Sequence, residues 1–141
     1  MRFFALIFTL LCGMFIATQS ASAAVEARIS IGSQRMVVTV DGSKAGEFLV
    51  STGKRGYRTP VGDYKPTRMH KKYYSKKYHN SPMPNSIFFN GGIAVHGTYE
   101  VARLGKPASH GCVRMHPSDA AQLFSLVQSH GMQNSRIVVT Y

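Results

Sequence analysis

The sequence predicts a mainly β fold of one domain with a single main α-helix. Apolar and polar side chains alternate over residues 25–31, which is the two-residue period of a half-buried strand. Similar strand patterns recur along the chain and are separated by turn pairs of the Asp-Gly and Asn-Gly type. Only one segment, which follows Cys112, has the three- and four-residue spacing of a helix.

The N-terminal half is predicted to form an antiparallel meander. A second strand is expected at 35–40 and a third at 47–51, and Asp41-Gly42 provides the turn between them. Three further strands are expected, at 87–89, 93–96 and 135–141.

The predicted helix begins at Pro117, because proline lacks an N–H and the first helical turn needs none. Its apolar face recurs at helical spacing in Ala120, Leu123, Phe124 and Val127. Gly131 follows as the expected C-terminal stop.

The first 23 residues have the pattern of a secretory signal peptide. Arg2 precedes an apolar stretch at 3–17, and the small residues Ala21-Ser22-Ala23 form a cleavage site. A membrane anchor is the alternative, but the stretch is shorter than the roughly 20 apolar residues that span a bilayer. We therefore expect cleavage after Ala23, no stable membrane span afterwards, and an exported domain at 24–141 in the periplasm or cell wall.

Removing the leader also removes Cys12, so Cys112 becomes the only cysteine of the mature chain. Exported proteins normally pair their cysteines, and an odd one indicates a reactive thiol or an intermolecular bridge. A cysteine nucleophile needs a nearby base, and His96, His110 and His116 are the candidates. We favour His96, because it ends a different strand and can approach Cys112 across the sheet. The alternative for this pair is a buried small side chain and a satisfied structural histidine.

Two residues beside Cys112 have their own interpretations. Gly111 permits a sharp turn that aims backbone N–H groups at a developing oxyanion. Arg114 either holds a substrate carboxylate or pairs with an acidic residue. His96, His110, Cys112 and His116 lack the spacing of known zinc motifs, so we expect no metal site and no cofactor.

The formal charge of +11 predicts a polyanionic partner. Export makes nucleic acid an improbable partner, so an anionic envelope polymer or membrane surface fits better, with simple solubility as the alternative. Residues 65–86 concentrate five lysines, one arginine and three tyrosines without any acid. They show no regular period, and we expect a long surface loop or flap there.

An ordered set of motifs resembles the catalytic domain of L,D-transpeptidases. The signature is His96-Gly97-Thr98 followed by Ser109-His110-Gly111-Cys112-Val113-Arg114-Met115. Matching runs lie upstream at Ser51-Thr52-Gly53-Lys54, at 58–64 and at 89–96. The resemblance extends over nearly all of 25–141.

The resemblance implies a β-sandwich-like fold and peptidoglycan chemistry at residues 24–141. Cys112 would attack a stem tetrapeptide, release its terminal D-alanine and form a thioester. An amine would then resolve the thioester: a second stem peptide, giving a 3-3 cross-link, an envelope lipoprotein lysine or a D-amino acid. The resemblance makes His96 the general base, oriented by a backbone carbonyl. It also assigns oxyanion or substrate-binding positions, namely Gly97, Thr98, Ser109, His110, Gly111 and Arg114.

Two other functions remain open at this point. The same scaffold can carry an L,D-carboxypeptidase or an endopeptidase, in which water resolves the thioester. A non-catalytic basic cell-wall-binding protein is the alternative from a different class, and it predicts no role for Cys112.

Overall fold

The computed structural model describes residues 23–141. The predicted signal peptide, residues 1–23, lies outside the described residues except for Ala23.

Within residues 23–141 the chain forms eleven strands and one α-helix. The strands are β1 Val25–Ser30, β2 Arg35–Val40, β3 Ser43–Ser51, β4 Gly62–Tyr64, β5 Arg68–His70, β6 Tyr74–Ser75, β7 Ser81–Pro82, β8 Ser86–Asn90, β9 Ile93–Gly97, β10 Val113–Met115 and β11 Ser135–Thr140. The helix α1 is Pro117–His130, and two short 3-10 helices are Val101–Arg103 and Met132–Asn134. The predicted mainly β class with one main helix is confirmed.

Nine strands form one sheet in the order β4-β11-β1-β2-β3-β10-β9-β8-β5. The predicted meander is present, since β1, β2 and β3 pair antiparallel in sequence. Strand β3 connects the two halves of the sheet: its residues up to Leu49 pair with β2, and Val50 and Ser51 pair with β10. Two pairings are parallel, β1 with β11 and β10 with β9.

The two halves of the sheet and α1 enclose one main core. Val25, Ile29 and Met36 from the first half share it with Val95 and Val113 from the second. Burial of these apolar side chains is the main term that stabilises the fold.

Helix α1 matches its prediction in both bounds and buried face. Its buried residues are Ala120, Leu123, Phe124 and Val127. Gly131 ends the helix at φ 93°, and its N–H donates to the Val127 carbonyl. That positive φ is the backbone region that glycine adopts without steric cost. The helix packs against β9, the strand that carries His96.

The segment 65–86 is more regular than the predicted loop. Strand β5 is the edge partner of β8, with Arg68 opposite Phe88 and its guanidinium 3.9 Å from the centre of that ring. Strands β6 and β7 form a separate two-stranded hairpin, residues 74–82, which we call the basic hairpin. Strands of two or three residues are too short for alternation to reveal, so the sequence pattern missed them. The same limit hid β4 and β10.

Within residues 23–141, no helix is both long enough and apolar enough to cross a membrane.

Replacing Leu123 with alanine should destabilise the domain by about 2–5 kcal/mol, because the side chain is only 1% exposed and its loss leaves a cavity. The half-buried Leu126 on the same helix is the matched control, and Leu126→Ala should cost clearly less. Urea unfolding followed by circular dichroism measures both. Equal losses would contradict the described face of α1.

Candidate active site

The parallel pairing of β10 with β9 places Cys112 and His96 on one face. Val113 pairs with Val95, and Arg114 pairs with His96. Val113 and Val95 are buried in the main core. Because successive side chains of a strand alternate between faces, Cys112 and Arg114 lie on the opposite face together with His96.

The Cys112 thiol is half-buried against a small apolar cluster of Met83, Phe88 and Ala94. The Ala94 N–H donates to Sγ at 3.4 Å, and the Gly92 carbonyl accepts from Sγ at 3.9 Å. Burial raises the pKa of Cys112, while the Ala94 hydrogen bond and the positive charge of Arg114 oppose that rise. The resting sulfur is therefore a neutral thiol at neutral pH.

His96 is buried, with 5% of its surface exposed. Its Nδ1 lies 2.7 Å from the Gly97 carbonyl. A carbonyl can only accept, so Nδ1 carries the proton and the lone pair is on Nε2. Burial lowers the pKa of His96 to about 4, the Gly97 hydrogen bond opposes this, and Arg114 adds to it. At neutral pH the ring is therefore a neutral acceptor.

A web of hydrogen bonds fixes the loop that carries Cys112. The buried Ser109 Oγ donates to the Cys112 carbonyl at 2.5 Å and accepts the Gly111 N–H at 3.1 Å. The Ser109 backbone bonds to the neighbouring segment: its N–H donates to the Thr52 carbonyl, and its carbonyl accepts the Lys54 N–H. Gly111 has φ +127°, the region that favours glycine. Ser109 and Gly111 therefore shape the turn. The Gly111 N–H is already hydrogen-bonded to the Ser109 hydroxyl.

Thr59 is a second support of this loop, which sequence reasoning did not single out. Its buried hydroxyl donates to the Gly111 carbonyl at 2.7 Å and accepts the Gly53 N–H at 2.9 Å. At Gly53 a Cβ would lie 1.8 Å from the Tyr57 carbonyl oxygen, so only glycine fits there. Thr59 was visible in the sequence only as part of the run 58–64, because nothing local marks a buried hydroxyl.

Cys112, His96 and Arg114 line one open cavity of about 790 Å³. The basic hairpin forms another part of its lining, through Lys76, Lys77 and Tyr78 among others. The segment expected to be a surface loop or flap therefore lines the same cavity as the Cys112 thiol.

His110 has a different neighbourhood from His96. Its exposed ring stacks on Tyr78 of the basic hairpin at 4.5 Å and meets the edge of Tyr57 at 4.9 Å. Desolvation lowers the pKa of His110, and nearby cations, led by Lys54, lower it further. His110 thus joins the basic hairpin to the Cys112 loop.

The remaining predicted site residues have mainly structural contacts. The third candidate base, His116, caps α1, since its Nδ1 accepts the Ser118 N–H at 3.2 Å. The Gly97 N–H donates to the Pro84 carbonyl, and the buried Thr98 donates its N–H to the Met115 carbonyl.

Arg114 pairs with Glu100, whose carboxylate is 3.3 Å from Nη1. Of the two alternatives for Arg114, the structure shows the acidic partner. Across residues 23–141, no group of three or more His, Cys, Asp or Glu side chains is placed to hold a metal ion.

Comparison with known proteins identifies the family of this site. The L,D-transpeptidase catalytic domain matches residues 25–139. The chain belongs to this family. It is 31% identical over 105 residues to YqjB of Bacillus subtilis, which is assigned as an L,D-transpeptidase, over 65% of this chain and 60% of that protein.

Solved L,D-transpeptidases share the fold. The one from Stackebrandtia nassauensis is 28% identical, with a TM-score of 0.73 over 90% of this chain and 60% of that one. L,D-transpeptidase 3 from Mycobacterium tuberculosis, solved with a faropenem-derived adduct, is 19% identical, with a TM-score of 0.76 over 84% and 61% of the two chains. The chain spans about 60% of the length of the relatives it matches.

Replacing Thr59 with valine should slow imipenem acylation of Cys112 by about tenfold or more, because it removes the hydrogen bond to the Gly111 carbonyl and the one from the Gly53 N–H, which together tie the Cys112 loop to its neighbour. Unfolding stability should fall by about 1–3 kcal/mol. Thr59→Ser keeps the hydroxyl and should restore the rate. Intact-mass time courses give the rates, and urea unfolding gives the stability.

Ser135→Ala is the matched control, since Ser135 is also buried and donates to a backbone carbonyl, that of Gly131, away from Cys112. It should lose stability without losing rate. If Thr59→Val slows acylation no more than Ser135→Ala does, Thr59 has no positioning role.

The pH dependence of thiol alkylation should show a neutral resting pair. The raised pKa of Cys112 places thiolate formation above the ordinary thiol value of about 8.5. Protonation of His96 is confined to pH below about 4. Between these limits both groups are neutral, so the iodoacetamide rate should stay low near neutral pH and rise only above the ordinary thiol value of about 8.5. A rate plateau at pH 5–7 would instead reveal a preformed thiolate–imidazolium pair. The rate is read on the peptide containing Cys112, because Cys12 is also a thiol.

Proposed function

We propose that the chain is an L,D-transpeptidase that acts on peptidoglycan stem tetrapeptides through a thioester on Cys112. The observation that carries this proposal is the placement of Cys112 and His96 on one face of an open cavity, with the His96 proton fixed on Nδ1. Family membership supplies the substrate class.

The first half-reaction uses the neutral pair. As Sγ attacks the carbonyl of the last amide bond, His96 Nε2 accepts the thiol proton. The tetrahedral intermediate collapses when His96 returns that proton to the nitrogen of the terminal D-alanine, which leaves. Cys112 then holds the shortened stem peptide as a thioester.

The second half-reaction regenerates the thiol. An acceptor amine loses its proton to His96 and attacks the thioester carbonyl, and a new amide forms as the C–S bond breaks. His96 returns the proton to the leaving Sγ, so both groups are neutral again. We propose a second stem peptide, an envelope lipoprotein lysine or a D-amino acid as the acceptor. Water in the same position would give the L,D-carboxypeptidase or endopeptidase outcome.

The other family-derived positions have supporting roles in this proposal. Ser109 and Gly111 hold the turn that presents Sγ, and His110 anchors the basic hairpin beside it. Gly97 supplies the carbonyl that orients His96. Thr98 accepts the Glu100 N–H at its Oγ1, and so supports the Glu100–Arg114 pair at the cavity wall.

We also propose export. Residues 1–23 act as a signal peptide and 24–141 as the catalytic domain, in the periplasm or cell wall. The stretch 54–77 carries nine Lys or Arg residues and one acid, Asp63, which pairs with Arg136. This surplus of positive charge suits an anionic wall polymer, and that attraction should weaken with salt.

Intact-mass spectrometry after exposure to imipenem tests the nucleophile. The wild type should gain one adduct, located on the Cys112 peptide, and Cys112→Ala should gain none there. His96→Ala should acylate at least about a hundredfold more slowly, because it lacks the base. His110→Ala, at the tyrosine stack, should lose less.

Each contrary result has a definite meaning. Absence of an adduct on the wild type would overturn the proposal and favour the non-catalytic wall-binding protein. An adduct that persists in Cys112→Ala would place the nucleophile elsewhere. A slower rate for His110→Ala than for His96→Ala would reverse the assignment of the base. Incubation with stem tetrapeptides then separates cross-linked dimers, the product of a transpeptidase, from trimmed monomers, the product of a carboxypeptidase.

A further inference from the structure

Glu100 is the single acidic residue among those that line the cavity in the described chain. Its carboxylate Oε2 lies 3.3 Å from Arg114 Nη1 and 3.9 Å from Arg103 Nε. The Glu100 backbone is fixed from behind, because its N–H donates to the Oγ1 of the buried Thr98 at 3.1 Å. A carboxylate at the cavity wall therefore has two cations within reach.

Arg114 is the cation best placed to meet a bound substrate. It is opposite His96 in the strand register and two residues beyond Cys112 on the same face. Its side chain is 19% exposed, whereas that of Arg103 is 60% exposed. The guanidinium group thus lines the cavity beside the reacting pair, and the Glu100 contact orients it there.

The geometry suits the carboxylate of the departing amino acid. One residue of extended chain spans about 3.5 Å, so that carboxylate lies within one residue of the attacked carbonyl carbon. Side chains two positions apart on a strand, such as those of Cys112 and Arg114, are about 6.6 Å apart. The arginine side chain is long enough to reach from there to the substrate carboxylate. A guanidinium binds a carboxylate through two parallel hydrogen bonds.

We propose that Glu100 is a positioning residue that holds Arg114 before the substrate binds and yields it to the terminal α-carboxylate of the stem peptide. The exchange replaces one carboxylate by another, so Arg114 stays paired before and after binding. Glu100 keeps Arg103 as its partner when Arg114 leaves. Arg114 makes the site selective for stem peptides that end in a free carboxylate, while Glu100 competes with that carboxylate. The proposal rests on the proposed transpeptidase function.

The test compares two stem tetrapeptides that differ only in a C-terminal carboxylate or carboxamide. Release of the terminal residue gives kcat and KM for each. The wild type should prefer the carboxylate by about tenfold or more in kcat/KM, because the arginine contact is charge-assisted. Arg114→Gln should lose this preference.

Glu100→Gln removes the competitor for Arg114. It should lower KM for the carboxylate peptide severalfold, leave its kcat unchanged and leave KM for the carboxamide peptide unchanged. Glu47→Gln is the matched control, because Glu47 is an exposed carboxylate paired with Lys44 and lies outside the cavity lining. It changes the net charge equally and should change neither KM.

Imipenem acylation, run in parallel, separates the two proposals. A wild type that forms no adduct and releases no amino acid refutes the transpeptidase function itself. If Cys112 is acylated but the wild type treats both peptides equally, the exchange at Arg114 is wrong. It is also wrong if KM for the carboxylate peptide is unchanged or raised in Glu100→Gln, or if Glu47→Gln lowers it as much.

Discussion

The parallel register of β9 and β10 is the constraint on which the site depends. Three paired residues set it, and the shared apolar positions Val95 and Val113 lock it into the main core. A slip by one residue would send His96 inward and bring a core valine to the cavity. The chemistry is therefore set by the same packing that stabilises the fold. Cys112 and His96 are distant in sequence, yet their side chains share one face of the sheet. They do so because β10 pairs with β9 in the register that buries Val113 beside Val95.

Desolvation decides the charge state of that pair. Arg114 acts on both residues, lowering the pKa of Cys112 and that of His96. For the cysteine, burial outweighs Arg114 and the Ala94 hydrogen bond, so the thiol stays protonated. For the histidine, burial and Arg114 act together against the charged form. A neutral thiol beside a neutral imidazole protects the sulfur at rest, because oxidation and alkylation follow the thiolate. In the proposed mechanism the proton moves only when a substrate carbonyl is present to receive the sulfur.

The sequence predicted those elements that are long enough to show a periodic apolar pattern or that end at a clear terminating residue. Helix α1 was predictable because Pro117 marks its start, an apolar stripe marks its buried face and Gly131 marks its end. Strands β5, β6, β7 and β10 were not, since two or three residues cannot show alternation. The roles of Thr59 and Glu100 were hidden for another reason: the contact that gives each its role, with Gly111 and with Arg114, is made 14 or more residues away in sequence. Family resemblance could name His96 and Cys112, but only the folded structure shows which residues hold these two side chains and their neighbours in place.

The excess positive charge of the chain is distributed unevenly over the structure. Glu26, Glu47, Asp63 and Glu100, four of the six acids in the sequence, form ion pairs within residues 23–141. Apart from Arg114, the cations that line the cavity, Arg68, Lys76 and Lys77, have no acidic partner within the described residues. The cavity is therefore one of the places where positive charge is left without an acidic partner. Positive charge there favours an anionic ligand and the negative charge that develops on a carbonyl under attack. For His96, Arg114 adds to the effect of burial in disfavouring the imidazolium form. In the mechanism proposed above, His96 therefore holds the proton only while the anion that it helps to create is present to balance the charge.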